Sequence, residues 1–238
     1  MQSDYTNLGN FINSSFDKVY LINLDIRKDR LVAADALLKK YNIIYERFPG
    51  VYLKEKYTDK INRHTGTSSL GHLGCMLSHV SCLKKSLKNN HQRVLIFEDD
   101  ISFIEDNIKC IDYEQLKQDF NSLDWNFFYL GGTYQSKIFK HKKNICFTNG
   151  KILATQSIAY NKEIIEKIVS SIPLDPQFYI SKLDKILPVD VMLNNIKNKV
   201  YSIYPIVCVQ NDSISDIVPS SFGVNNFNDQ INYWNRNK

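Results

Sequence analysis

The sequence predicts one α/β domain with a mostly parallel central sheet covered by helices on both faces, and three features predict it. The run Lys18-Val19-Tyr20-Leu21-Ile22-Asn23-Leu24 is almost continuously apolar and β-rich. A helix-spaced apolar pattern and a second strand follow it at once. Further on, Val94-Leu95-Ile96-Phe97 stops at the acidic triplet Glu98-Asp99-Asp100. A length of 238 residues suffices for one large core. Hydrophobic residues at 43% and aromatics at 12% exclude a disordered chain.

Taken in order, residues 1–16 read as a polar extension, 17–209 as the domain and 210–238 as a tail. The first strand, Lys18 to Leu24, has the pattern of a strand buried on both faces. Leu31, Ala34, Leu37 and Leu38 recur at helical spacing between Lys28 and Tyr41, and Ile43 to Phe48 is the second strand, so a βαβ unit opens the domain. Pro49-Gly50 ends it, and the polar stretch to Ser69 is a long loop of the kind that is functional or mobile. A helix runs from Leu70 to Asn89 and leads into the strand Val94 to Phe97, whose carboxyl end is where a doubly wound sheet binds ligands. Asn126 to Leu130 is a strand stopped by Gly131-Gly132, and Lys151 to Thr155 is another. Helices at Asn161 to Ser171 and Val189 to Lys197 precede a last strand, Val200 to Val209. The Asn- and Ser-rich end is a loop or lid.

The formal charge of +5, from 30 basic and 25 acidic residues, is too mild and dispersed for duplex nucleic acid and fits a small phosphate-bearing ligand. Five cysteines without a CxxC pair predict free thiols in a reducing, cytoplasmic compartment. No stretch approaches the ~20 apolar residues of a membrane span, and the polar start lacks a signal-peptide core. Attachment at the periphery of a membrane stays compatible with this.

Residues two apart on a strand share a face, so Glu98 and Asp100 project together and Asp99 points away. Such a pair suits a hard cation, Mn²⁺ or Mg²⁺, that neutralises a diphosphate leaving group. A solvated acidic strand end is the alternative. The first βα turn, Asn23 to Arg30, offers polar side chains and helix amides to a base, ribose or phosphate. Asp29 and Arg30 serve equally as a first-turn charge and a surface ion pair. The absence of Gly-x-Gly-x-x-Gly argues against a dinucleotide fold. In the following helix His72, Cys75 and His79 suggest zinc, but residues seven apart lie about 10.5 Å apart along the axis, and adjacent Ser78 and His79 diverge by roughly 100°. Gly71 and Gly74 there permit close helix–sheet approach, with Ser78 or His79 bonding to a loop. Asp190, at a helix start, is either a first-turn acid or a general base. The polar loop 210–217 is able to reach back over a site.

In this order the pieces resemble glycosyltransferase family 25, which includes lipooligosaccharide galactosyltransferases and collagen hydroxylysine galactosyltransferases. The resemblance is carried by Val19 to Asp25 with Arg27, Asp29 and Arg30, by Leu70 to Cys75 with Leu77-Ser78-His79, and by Leu95 to Asp100. Tyr129-Leu130-Gly131, Pro188-Val189-Asp190 and Ser215-Asp216-Ile217 complete it. It implies a GT-A type, Rossmann-like fold, a uridine diphosphate sugar as donor of galactose or glucose, Mn²⁺ or Mg²⁺, and inverting transfer to a hydroxyl of a glycan or a hydroxylysine-type protein. By carry-over, Glu98 and Asp100 bind metal, and Asn23, Leu24, Asp25, Arg27, Arg30, Gly71, Ser78, Glu98 and Gly131 bind the donor. Asp190 is then the base. No histidine follows His141 to complete the metal shell, so Asp212, Asp216 or water takes that place, with Asp216 in the metal set.

Two rivals have different chemistry. A Mg²⁺ phosphohydrolase of doubly wound type usually carries its nucleophilic aspartate on the first strand, which here ends in Asn23-Leu24-Asp25. A degenerate transferase would bind a nucleotide sugar without turnover.

Overall fold

Helix and strand alternate from the first residues onward in the computed structural model, which describes residues 2–60, 67–149, 151–196, 199–211 and 216–217. The order is α1 (Gln2–Ser15), β1 (Lys18–Asn23), α2 (Lys28–Lys40), β2 (Glu46–Pro49), α3 (Ser69–Lys88), β3 (Arg93–Glu98) and β4 (Ile101–Phe103). Then come α4 (Glu105–Lys109), α5 (Tyr113–Ser122), β5 (Phe127–Tyr129), β6 (Thr133–Tyr134), β7 (Ile138–Lys142), β8 (Ile145–Thr148), β9 (Ile152–Leu153) and β10 (Ser157–Asn161). The chain continues through α6 (Lys162–Ser171), α7 (Gln177–Ile180), α8 (Val189–Asn195), β11 (Val200–Ile203) and β12 (Cys208–Gln210).

The main sheet has eight strands in the order β2-β1-β3-β10-β5-β11-β8-β7. The pairings of β1 with β2 and β3, and of β5 with β11, are parallel, and only β10 and β8 run against the other six. The expected mostly parallel α/β sheet is therefore present. The apolar run of β1 has a direct cause: Val19 and Leu21 pack into the core beneath α1, α2 and α5, while Tyr20 and Ile22 pack into the core beneath α3 and α6. A strand covered on both faces needs apolar side chains at both phases of the period-two repeat.

Several boundaries differ from expectation. The stretch expected to be a polar extension packs from Leu8 onward: Leu8, Phe11 and Ile12, spaced i, i+3, i+4, and Phe16 are buried, with the Phe11 ring 5.6 Å from that of Phe120. The polar face of α1 masks this narrow stripe in the composition. The second strand begins at Glu46, and the strand expected at Lys151 to Thr155 shrinks to β9, which pairs with β6. Strand β10, unannounced by the sequence, lies between β3 and β5. Val200 to Val209 divides into β11 in the main sheet and β12, which leaves it to pair with β4. Of the tail, residues 212–215 and 218–238 lie outside the described residues.

Chain order brings β1 between β2 and β3, so the connections leaving β1 and β3 diverge at their carboxyl ends. That divergence opens the crevice where doubly wound sheets bind ligands.

Candidate active site

The register aligns Ile22 of β1 with Glu98 of β3, so Asn23 and the acidic triplet emerge side by side. Strand β3 stops at Glu98, and Asp99 and Asp100 form a turn. The alternation expected from an extended strand therefore ends one residue too early, and Asp99 does not point away. It is buried, and its carboxylate accepts from Asn23 Nδ2 at 2.7 Å and from Arg30 Nη1 at 2.9 Å. Asn23 is itself positioned by Arg47, whose Nε and Nη2 donate to Asn23 Oδ1 at 3.1 and 3.0 Å.

Glu98 is also engaged. Its Oε1 accepts from Thr155 Oγ1 at 2.6 Å and from His79 Nε2 at 3.1 Å, while His79 Nδ1 lies 3.2 Å from the Tyr160 hydroxyl. Asp100 differs. Its Oδ2 has longer contacts, 3.5 Å from Arg30 Nη1 and 3.4 Å from Gln210 Nε2, and its buried Oδ1 has no hydrogen-bond partner among the described residues.

The electrostatics follow this division. Burial works to raise the Glu98 carboxyl, but the hydrogen bond from His79, the charge interaction with it and the Thr155 hydroxyl outweigh burial and hold Glu98 below its ordinary value. Burial raises Asp99 despite the bond from Asn23 and the Arg30 guanidinium. Asp100 is pushed up to about 7 by burial first and by the neighbouring Glu98 charge second, with Arg30 only partly opposing.

Helix α3 forms the facing wall. Ser68 caps it, accepting from the Gly71 amide at 2.9 Å. Ser78 Oγ donates to Gly74 O at 2.7 Å and accepts from the Val51 amide at 2.8 Å, which ties the 51–54 loop to the helix. A Cβ at Gly74 would come within 2.5 Å of Val51 O. The glycine thus allows the close approach expected of it, to a loop and not to the sheet. The late segment closes the rim: Asp216 pairs with Arg27 at 2.6 Å, its carbonyl accepts from Lys54 Nζ at 3.0 Å, and Ile217 O accepts from the Ser68 amide at 2.9 Å.

The cavity, open to solvent on one side, measures about 120 Å³. Of the sequence-predicted residues, Asn23, Leu24, Arg30, Gly71, Ser78, Glu98, Asp100 and Asp216 line it. Four others do not. Asp25 is exposed and pairs with Arg47. Arg27 stands behind the rim between Asp29 and Asp216. Gly131 is a packing residue, where an added Cβ would lie 1.7 Å from Cys208 O. Asp190 Oδ2 accepts from the Ala154 amide at 3.0 Å and Oδ1 from the Val191 amide at 2.7 Å; its charge still reaches His72 and the cavity residue Cys75. Sequence reasoning missed Asp99 as a cavity residue, the Cys75–Glu98 neighbourhood, and Thr155. Only the i, i+4 spacing of Cys75 and His79 announced any of this.

Residues 16–183 match the family model described as Glycosyltransferase family 25 (LPS biosynthesis protein), and they hold both principal walls of this cavity. The chain belongs to glycosyltransferase family 25. The Drosophila melanogaster "Glycosyltransferase 25 family member" is 26% identical over 192 residues, covering 75% of this chain and 30% of that protein. The Xenopus laevis "Procollagen galactosyltransferase 1-A" is 30% identical over 135 residues, 49% of this chain and 21% of that protein. The human "Inactive glycosyltransferase 25 family member 3" is 33% identical over 135 residues, 49% of this chain and 22% of that protein. This family 25 chain therefore spans a fifth to a third of the length of these relatives. Asp190 and Asp216 fall outside the matched span.

Proposed function

We propose that this family 25 chain transfers a hexose, galactose or glucose, from a uridine diphosphate sugar to the hydroxyl of a glycan or protein acceptor, with inversion and with a hard divalent cation. One observation carries the reading: a buried carboxylate oxygen, Asp100 Oδ1, without a hydrogen-bond partner among the described residues, in an acidic triplet at the carboxyl ends of β1 and β3. Buried polar atoms in folded proteins are almost always satisfied, and an exception in a crevice marks a ligand's place. Oxygen donors fit Mn²⁺ or Mg²⁺. Asp100 would hold the ion, with Glu98 and Asp216 as the further carboxylates of the cavity, and when bound it offsets the charge of the departing diphosphate.

The chain's own residues do the rest. Arg30, fixed by Asp99, supplies a guanidinium beside the carboxylates for phosphate oxygens. Leu24 and the 51–54 loop give the cavity apolar walls that exclude water. Asp190 remains the proposed base, provided the acceptor takes the place of one of its two backbone donors.

Calorimetry of uridine diphosphate with the full chain, with and without Mn²⁺, followed by a transfer assay with uridine diphosphate galactose and glucose, tests this. Metal-dependent binding and inverted product are expected. Equal affinity without metal would remove the metal, and release of phosphate from simple phosphoesters would transfer the chain to the hydrolases. The inactive naming of the human relative favours a second reading, binding without turnover, which predicts the same calorimetry and no product with any acceptor.

A further inference from the structure

Beside the unsatisfied Asp100 oxygen the cavity holds a second cluster with different chemistry. Cys75 and His79 are one turn apart on α3, so their side chains share a face, and Glu98 reaches them from β3. One ligand atom from each lies within 4.8 Å of the other two. This neighbourhood resolves the sequence's zinc pattern differently from the trio His72, Cys75, His79. His72 is held by Thr67 at 2.5 Å, while a carboxylate from the sheet supplies the third group.

We propose that Cys75, His79 and Glu98 form a binding site for a thiophilic divalent cation, of which Zn²⁺ is the type, on the helix wall of the cavity. Three protein ligands of sulfur, nitrogen and oxygen type with a fourth position open to a cavity are the donor set of open zinc sites. Metal–ligand lengths of about 2.0–2.3 Å require tetrahedral ligands about 3.5 Å apart; His79 Nε2 and Glu98 Oε1 are already 3.1 Å apart, and the widest separation, within 4.8 Å, needs to close by roughly 1 Å. The groups behind the ligands are in place. Tyr160 orients the His79 ring through Nδ1, leaving Nε2 toward Glu98, and Thr155 Oγ1 orients the Glu98 carboxylate. Such outer partners fix ring and carboxylate for coordination. On binding, the Cys75 thiol releases its proton to solvent, the His79 Nε2 proton is likewise given up through solvent so that the neutral ring carries its proton on Nδ1 toward the Tyr160 oxygen, and the His79–Glu98 hydrogen bond gives way to two bonds to the ion. The hard ion of the transfer reaction prefers oxygen and does not need Cys75.

Co²⁺ titration of the full chain, monitored by absorption, tests the site, because thiolate-to-cobalt charge transfer and tetrahedral ligand-field bands report sulfur coordination directly. One equivalent of Co²⁺ should produce both bands, and one equivalent of Zn²⁺ should abolish them. Cys75→Ser should lose the charge-transfer band, His79→Gln should weaken Co²⁺ affinity at least tenfold, and Cys110→Ser, at an exposed thiol elsewhere, should change neither. Melting curves of each variant confirm folding. Bands that survive Cys75→Ser, or Co²⁺ binding without a thiolate band, overturn the proposal. A chain that binds Mn²⁺ with uridine diphosphate but shows no thiolate band sinks this site alone. A chain with the band and no nucleotide binding keeps the site and sinks the transferase reading.

Discussion

Ser78 separates a scaffold role from a donor-binding role by measurement. Its hydroxyl bridges Gly74 O at 2.7 Å and the Val51 amide at 2.8 Å. In Ser78→Ala the Gly74 carbonyl, inside α3, loses only a second acceptance, but the Val51 amide loses its side-chain acceptor beneath the loop. An unsatisfied buried donor costs about 1–3 kcal/mol, and Val51 is only half-buried, so about 1–2 kcal/mol is expected. For a chain of this size that lowers Tm by roughly 2–8 °C. Differential scanning calorimetry reads the loss, and titration with uridine diphosphate and Mn²⁺ on the same protein reads the site. The bridge predicts a lower Tm with affinity weakened no more than about threefold, since part of the loop stays anchored by Lys54. An unchanged Tm with affinity down about tenfold or more, equal to a direct contact of about 1.4 kcal/mol, would refute the scaffold argument and return Ser78 to the donor.

Asp100→Asn should stabilise the metal-free chain at high pH. A folded value of about 7 against 3.8 unfolded makes the ionised form unfavourable in the fold, so the penalty grows as pH rises from 3.8 and is complete above 7. At pH 8 the gain over the parent is at most about 4 kcal/mol and at pH 5 under half of that, and a pH-independent difference in urea melts would contradict it. Gly131→Ala should cost about 3 kcal/mol, because the new Cβ meets a backbone carbonyl that cannot rotate away, and a loss below about 1 kcal/mol would show that β12 yields. Asp190→Asn keeps one oxygen, for the Ala154 amide, and turns an NH2 donor toward the Val191 amide, so Tm should fall by roughly 2–4 °C, while transfer falls about a hundredfold with donor affinity little changed. Near-normal transfer would end its role as base.

The parts of the fold that announce themselves are those buried on two faces. β1 and β3 show it in unbroken apolar runs, and α3 in a helix-spaced one. Beyond β3, β5 and β11 also show as apolar runs, but β10, β8 and β7 do not, for the opposite reason. β7, at the edge, has four exposed residues out of five, Phe139-Lys140-His141-Lys142, and β10 is five residues long and runs straight into α6. In the site, Glu98 and Asp100 were legible as acids at a strand end. Asp99 was not, because its role depends on β3 stopping at Glu98, and strand ends vary by a residue or two for reasons no periodicity records. Thr155 reaches Glu98 from an irregular stretch between β9 and β10, where sequence spacing carries no geometric meaning.

Three consecutive acids have three different situations here, and that difference argues against a merely solvated strand end. A solvated carboxylate is satisfied by water and needs no protein donor. Instead Asp99 takes an amide and a guanidinium, Glu98 takes an imidazole and a hydroxyl, and Asp100, 9% exposed, is left with long contacts and a bare oxygen. Burying an under-compensated carboxylate destabilises a fold unless something else supplies positive charge. Arg30 cannot supply it, since its short ion pair is with Asp99 and its contact to Asp100 is 3.5 Å. Among the described residues Asp100 Oδ1 has no partner, and on the proposed reading the missing charge comes as a proton or as a cation. A proton serves only below about pH 7. Above it, the proposed cation would relieve the site, so adding Mn²⁺ at pH 8 should raise the Tm of the parent and leave Asp100→Asn unmoved.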